Sequence, residues 1–404
     1  MRYQHRLLLL ATLSAALPCV AASPDPAIAA ALRQISESRI RADITALVGF
    51  GTRSTLSAQD PAAITAGRGI GATREWIRAQ FEQYSRDCGG CLEVQSDAFT
   101  QPPADRIAQP TLITNVYAVL PGTDRSAAAR IVLVSAHYDS RIGDNFDVTH
   151  DAPGANDDAS GIAVSLECAR VLSALRFPAT LMFLAVAGEE QGLYGSAHFA
   201  QFARAHHWDI EAVLNNDIVG ADRGPDQDRG TVRVFSEGLP AAADPAALGQ
   251  LRRLGLENDS PSRELARVVT ETAASYDTGL HPLLVFRQDR YLRGGDHASF
   301  NAQGYAAVRF SEYREDFRHQ HQDVRTEAGI EYGDLLRFVD FGYVARVARL
   351  NAATLATLAA APAPPAQVAI LVSQLTNDTT LRWDSSPGAS GYEVLWRASS
   401  SPDW

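Results

Sequence analysis

Acidic and imidazole side chains recur in this chain where apolar runs end. Ile131-Val-Leu-Val-Ser-Ala leads into His137-Tyr138-Asp139, and Gly154-Ala-Asn-Asp157-Asp158-Ala-Ser-Gly161 follows. Thr180-Leu-Met-Phe-Leu-Ala-Val-Ala-Gly ends in Glu189-Glu190, Ala212-Val-Leu-Asn-Asn ends in Asp217, and Gly294-Gly-Asp296-His297 comes later. Imidazole and carboxylate donors together suit zinc, with manganese or cobalt as substitutes. Five such donors are too many for one tetrahedral ion that keeps an open position. If one carboxylate bridges, each of two ions receives three protein ligands and a shared water completes the pair. A spare glutamate beside a ligand glutamate makes hydrolysis the leading chemistry.

Each of these residues also has an ordinary reading. Glu189-Glu190 alone would be an acidic pair favoured at a helix N-terminus by the macrodipole. Asp157 and Asp158 could cap the helix that follows them. Asp217 alone would be a turn residue, and a single histidine at a strand end is usually a satisfied polar group. The set as a whole favours ligation. His150, His198, His206, His207 and His281 belong to no motif and read as surface or packing residues.

The elements that must position the set alternate. Residues 23 to about 86 read as helical, with apolar residues at helical spacing across Gly71–Tyr84. Strands are expected at Asn115–Leu120, Ile131–Ser135, Leu181–Val186, Val232–Phe235, Leu283–Phe286 and Ala306–Phe310, and helices at Ala159–Leu175, Ser260–Tyr276 and Gly333–Leu358. Near-continuous apolar runs suit strands covered on both faces. The fold class expected is α/β: a three-layer sandwich with a mostly parallel mixed sheet flanked by helices. In such sheets ligands bind beyond the carboxyl ends of the strands, which is where His137, Glu189, Glu190 and Asp217 fall.

The chain has 404 residues, 46% of them hydrophobic, and a net charge of -11. That length suits one large domain plus a smaller one. The acidic balance without Lys/Arg blocks argues against nucleic acid and anionic membrane as partners. Residues 1–22 read as a signal peptide: Arg2 to Arg6 is basic, Leu7 to Leu17 is apolar but too short for a stable span, and Val20-Ala21-Ala22 offers small residues for cleavage. Cys19 leaves with it. In the oxidising compartment this implies, Cys88-Gly-Gly-Cys91 is expected to form a local disulfide, and Cys168 to be a buried small hydrophobe. The expected organisation is a signal peptide at 1–22, a main metal-binding domain at 23–360, a Pro/Ala linker at 361–367 and a partial module at 368–404. In that last stretch Thr380–Trp383 and Tyr392–Trp396 alternate apolar and polar residues between turn signals. They resemble the first strands of a fibronectin type III module, with Trp383 and Trp396 as its core, although a complete sandwich needs about 100 residues.

Taken in order, His137-x-Asp139, Asn156-Asp157-Asp158-Ala-Ser-Gly161, Glu189-Glu190, Asn216-Asp217 and Asp296-His297 resemble metallopeptidase family twenty-eight, the co-catalytic zinc exopeptidases that include secreted bacterial aminopeptidases. The resemblance covers roughly residues 110 to 330. It implies two zinc ions: one on His137, Asp157 and Asp217, the other on Asp157, Glu190 and His297, with Asp157 bridging. Glu189 would be the general base acting on the shared water. Asp139 would hydrogen-bond the far nitrogen of His137 and fix its tautomer. The Asp157-Asp158 peptide is expected to be cis. Tyr291 is a candidate to assist the oxyanion, and His319 and Asp323 are expected to support a loop. The activity implied is removal of N-terminal residues from peptides by an exported enzyme, in the periplasm or outside the cell. Carboxypeptidase and glutaminyl cyclase relatives, or an inactive binding protein on the same fold, are the alternatives. The preferred first residue and the oligomeric state are not legible.

Overall fold

The computed structural model describes residues 24–221, 224–373, 377–398, 401 and 404. The expected signal peptide at 1–22 lies outside them. Among the described residues no helix is long and apolar enough to cross a membrane.

Eight strands form one mixed sheet: β1 (Glu93–Gln101), β2 (Thr111–Leu120), β3 (Arg130–His137), β4 (Thr180–Val186), β5 (Asp209–Asn216), β6 (Thr231–Ser236), β7 (His281–Val285) and β8 (Ala307–Glu312), in the order β1-β2-β4-β3-β5-β8-β6-β7. The central four, β4-β3-β5-β8, are parallel, while β2 pairs β4 and β6 pairs β8 antiparallel. Every residue of β3 and β4 is buried, which is why both read as unbroken apolar runs. Edge strand β1 has no such run. It is largely exposed and escapes detection by hydrophobic pattern.

Alternate residues of the central strands face two layers. Val132, Val134, Phe183, Ala185 and Leu214 pack under helices 159–172 and 341–360, whereas Leu133, Leu184 and Val213 meet Phe199, Ala203 and Phe300 on the other side. The N-terminal segment is part of the first layer. Ile40, Ile44 and Leu47 lie on one face of helix Glu37–Gly49 and are fully buried. Cys88 and Cys91 are disulfide-bonded, and Cys168 is free and buried.

Two expected elements differ. The closing helix begins at Phe341, where Asp340 accepts a hydrogen bond from the Tyr343 N–H at 3.0 Å. Residues 333–340 are instead a loop with a single tight turn, because the Asp334 carboxylate is drawn away to bind main-chain N–H groups of Asn156 and Asp157. In the C-terminal region, Ala366–Ile370 pairs with Leu381–Asp384 as a two-stranded sheet, but Tyr392–Trp396 forms no strand. Trp396 is 88% exposed rather than a core residue. Among the described residues no second sheet covers these two strands, so the alternating pattern is left without the packing partner a sandwich supplies.

One buried group bears no relation to the strand ends. Asp43, in helix 37–49, sits near Glu167 and Tyr84 with Arg39 and Arg170 at hand, and its Oδ2 makes no hydrogen bond. Burial, reinforced by Glu167, pushes its carboxyl up to about 7. A carboxyl raised in the folded state binds its proton more tightly there, so stability falls as pH rises from about 4 toward 7. Asp43→Asn is expected to raise the melting temperature by a few degrees at pH 8 and by clearly less at pH 5, read by calorimetry at both pH values. An equal gain at both would show that the charge is not the cause.

Candidate metal centre

β3 pairs β4 on one side and β5 on the other, so the chain reverses its direction of travel across the sheet at the carboxyl end of β3. A crevice is built there by topology alone. His137 ends β3, Glu189 and Glu190 begin the turn of helix after β4, and Asp217 follows β5 directly. Asp157 arrives from the loop before helix 159–172, joined to Asp158 by a cis peptide.

These side chains converge. His137 Nε2 lies 3.1 Å from Asp157 Oδ1 and 3.9 Å from Asp217 Oδ1. The other oxygen of Asp157 lies 3.0 Å from His321 Nε2, which is 3.1 Å from Glu190 Oε2. Two sets of potential donors result, His137–Asp157–Asp217 and Asp157–Glu190–His321, each with its atoms within 4.8 Å of one another. One carboxylate thus offers one oxygen to each set. His137 Nε2 and Glu190 Oε1 are buried and make no hydrogen bond, a costly state for polar atoms unless a cation takes their lone pairs. The donor chemistry, imidazole with carboxylate, fits zinc.

His297 is the expected ligand that does not join. Its Nε2 contacts the Gln288 carbonyl at 2.7 Å and stands 3.6 Å from Asp289 Oδ2, so the proton belongs on that nitrogen. Burial lowers its affinity for a second proton. His321 occupies the expected place, from the loop after β8 and with a left-handed φ of 55°. The signal for it was the rule already applied to His137 and Asp217: ligands follow the carboxyl ends of parallel strands. His297 precedes β8, and His321 follows it. Of its neighbours, His319 stacks on Phe338 at 3.8 Å and Asp323 accepts the Gly143 N–H at 3.2 Å, both within the loop's own scaffold. Tyr291 is 77% exposed and does not line the reaction cavity.

The supporting groups come from far away in sequence. His137 Nδ1 faces the Asp139 carbonyl at 3.2 Å and the Asp139 carboxylate at 3.5 Å. That carboxylate also accepts the Glu190 N–H at 3.1 Å and the Thr55 hydroxyl at 2.9 Å, and Thr55 Oγ1 in turn accepts the Gly188 N–H at 3.0 Å. Arg53, fully buried, donates to the carbonyls of Tyr138, Leu47, Pro153 and Gly154. Gly154 is irreplaceable in this packing: its φ is +48°, and a Cβ there would lie 2.6 Å from Ser140 Cβ and 2.5 Å from the Asp157 carbonyl oxygen. Arg309, also fully buried, pairs with Asp217 at 2.9 Å and Asp289 at 2.9 Å.

Glu189 stands outside both sets. Burial pushes its carboxyl well above the usual range, with Glu190, Asp217 and Asp296 acting in the same direction against His137. Asp296, buried near the same groups, is pushed up to about 7, chiefly by burial. Glu189 lines a cavity of about 550 Å³ together with Asp157, Glu190, Asp217, His321, Leu193 and Tyr194.

An α/β sheet with two carboxylate–imidazole donor sets at its switch point has the makings of a metallohydrolase centre. The chain belongs to peptidase family M28, whose model matches residues 115–340. It is 45% identical over 389 residues to a "probable zinc metalloprotease" of Leptosphaeria maculans, covering 95% of this chain and 88% of that one. A second "probable zinc metalloprotease", from Pyricularia oryzae, is 48% identical over 392 residues, covering 94% and 77%. Both relatives are fungal, where the sequence resemblance had pointed to bacterial enzymes. The fold is also similar to the LapA aminopeptidase of Legionella pneumophila (TM-score 0.57, 20% identity, 83% and 75% covered) and to Porphyromonas gingivalis glutaminyl cyclase (0.55, 18%, 80% and 98%). The protein is a hydrolase and zinc metallopeptidase of this family.

His321→Ala is expected to weaken zinc binding by about 10-fold or more, against a change of no more than a few-fold in His297→Gln, measured by competition with a chromophoric chelator. The reverse order would restore His297 as the ligand.

Proposed function

We propose that the protein is an exported two-zinc aminopeptidase that hydrolyses the N-terminal peptide bond of peptides. The observation that carries this reading is the Asp157 carboxylate shared between two donor sets, with Glu189 left free beside both. His137, Asp157 and Asp217 would hold one ion, and Asp157, Glu190 and His321 the other. Bound zinc supplies acidification of a water and polarisation of the scissile carbonyl.

The chain's own groups do the rest. Glu189 takes the proton of the attacking water on its carboxylate and returns it to the leaving amine nitrogen, a transfer worth about 10²–10⁴ in rate. Burial raises the proton affinity of its carboxyl, which makes the ionised form the stronger base. Asp139 keeps the His137 ring in one orientation and ties the Glu189-Glu190 turn to it through the Glu190 N–H. Leu193, Tyr194 and Leu292 give the cavity apolar wall for a substrate side chain. The aminopeptidase reading draws on the name of the Legionella neighbour. Export rests on the basic-then-apolar leader at 1–22.

Glu189→Gln is expected to lower kcat by about 10³ or more while zinc content stays unchanged. Substantial residual activity would remove Glu189 from the base role. A free-amine peptide and its N-acetylated twin should be separated by mass spectrometry of products: stepwise N-terminal trimming of the free peptide alone, lost with chelator and restored by zinc. C-terminal trimming of both would make it a carboxypeptidase, and loss of ammonia from an N-terminal glutamine would make it a cyclase.

A further inference from the structure

The two donor sets resemble each other in their carboxylates and differ behind their imidazoles. Each set has one carboxylate paired to an arginine: Arg309 lies 2.9 Å from Asp217 Oδ1, and Arg141 Nε lies 2.8 Å from Glu190 Oε2. In the first set His137 Nδ1 faces only oxygens of Asp139, so its proton sits on Nδ1 and the Nε2 lone pair is free toward Asp157 and Asp217. In the second set His321 Nδ1 faces a donor, Arg141 Nη2, at 2.6 Å. A guanidinium has no lone pair to offer. His321 Nδ1 therefore accepts, and the proton of the neutral ring sits on Nε2, the nitrogen aimed at Asp157 and Glu190. Metal-binding imidazoles ordinarily donate their other N–H to an oxygen, which raises their basicity. His137 follows that rule and His321 reverses it.

We propose that Arg141 is a positioning residue that clamps Glu190 and His321 together as a resident cation and thereby makes the Asp157–Glu190–His321 set the weaker of the two metal sites. The inference rests on the two-zinc reading. An ion entering this set requires the neutral ring to change tautomer, its proton passing through solvent from Nε2 to Nδ1, and the Arg141–His321 contact to open. The geometry allows that opening. The Arg141 side chain is 16% exposed and lines the 550 Å³ cavity, whereas Arg309 is fully buried and held by Asp289 and the Gly294 and Asp217 carbonyls. Arg141 also donates to the Ile142 carbonyl at 3.1 Å, a tether beside its own backbone that lets the guanidinium swing without unfolding the loop.

The test is a zinc titration of the intact, metal-free chain against a chromophoric chelator. The wild type should bind its first equivalent about 10²-fold or more tighter than its second. Arg141→Gln should tighten the second by about 10-fold or more and leave the first unmoved, which also reports that the variant is folded. Arg141→Lys, which keeps the charge but cannot span both partners, should fall between. A wild type that takes one zinc while Arg141→Gln takes two would support the proposal equally. Two equivalents of equal affinity in the wild type, or a second site unchanged or weakened in Arg141→Gln, would overturn it while leaving two zinc ions in place. One zinc in both proteins would instead sink the two-zinc reading and the proposal with it.

Discussion

Mutual repulsion among buried carboxylates is the constraint to which the rest of this structure answers. Asp139, Asp157, Asp158, Glu190, Asp217 and Asp296 are all buried around one crevice. Isolated charges in such a place are strongly disfavoured unless paired or hydrogen-bonded. Main-chain N–H groups answer part of the demand: the Glu190 N–H for Asp139, and those of His137 and Gly161 for Asp158. Three arginines answer another part. Arg309 pairs directly with Asp217, Arg141 pairs directly with Glu190, and Arg53, its pKa pulled down to about 10 by burial, is partly held up by Asp334, Asp139, Asp158 and Asp157. Among the buried atoms left without a hydrogen bond, His137 Nε2 and Glu190 Oε1 belong to residues of the two donor sets, which fit a divalent cation.

The sheet supplies the geometry that makes this concentration possible. Parallel pairing of β4, β3, β5 and β8 sends four carboxyl ends to one edge. Here Asp139, Glu190 and Asp217 each follow a strand whose position is fixed by a buried apolar face, so the repulsion is opposed by hydrophobic burial elsewhere in the layer.

Legibility in the sequence followed the same division. His137, Glu189, Glu190 and Asp217 could be placed because β3, β4 and β5 are apolar runs with definite ends. Asp157 could be placed because a helical pattern starts immediately after it. His321 also follows a parallel strand, but it lies well beyond the end of β8 in a stretch without periodicity, and its ring reaches Asp157 only through tertiary contact. The Asp296-His297 pair on which the resemblance places a ligand is adjacent in sequence, but His297 Nε2 faces the Gln288 carbonyl and Asp289 instead of the donor sets. Arg53, Thr55, Arg309 and Asp334 were invisible for a related reason. Each meets its partners across 84 to 178 residues of chain or across the sheet, and nothing local marks such a residue. Helix 333–358 was read too long because the pattern cannot show that Asp334 is engaged elsewhere.

Arg53 and Thr55 have a consequence for what counts as the catalytic unit. The stretch that carries the family signature, residues 115–340, contains every donor of both sets. Yet the carbonyls of Tyr138, Pro153 and Gly154 are gathered by a guanidinium that lies outside that stretch, and the Asp139 carboxylate shares its load with a hydroxyl that also lies outside it. The reactive centre is therefore a joint between two separated lengths of chain. The recognisable part is the smaller assembly, and the functional one begins some sixty residues earlier, at Arg53.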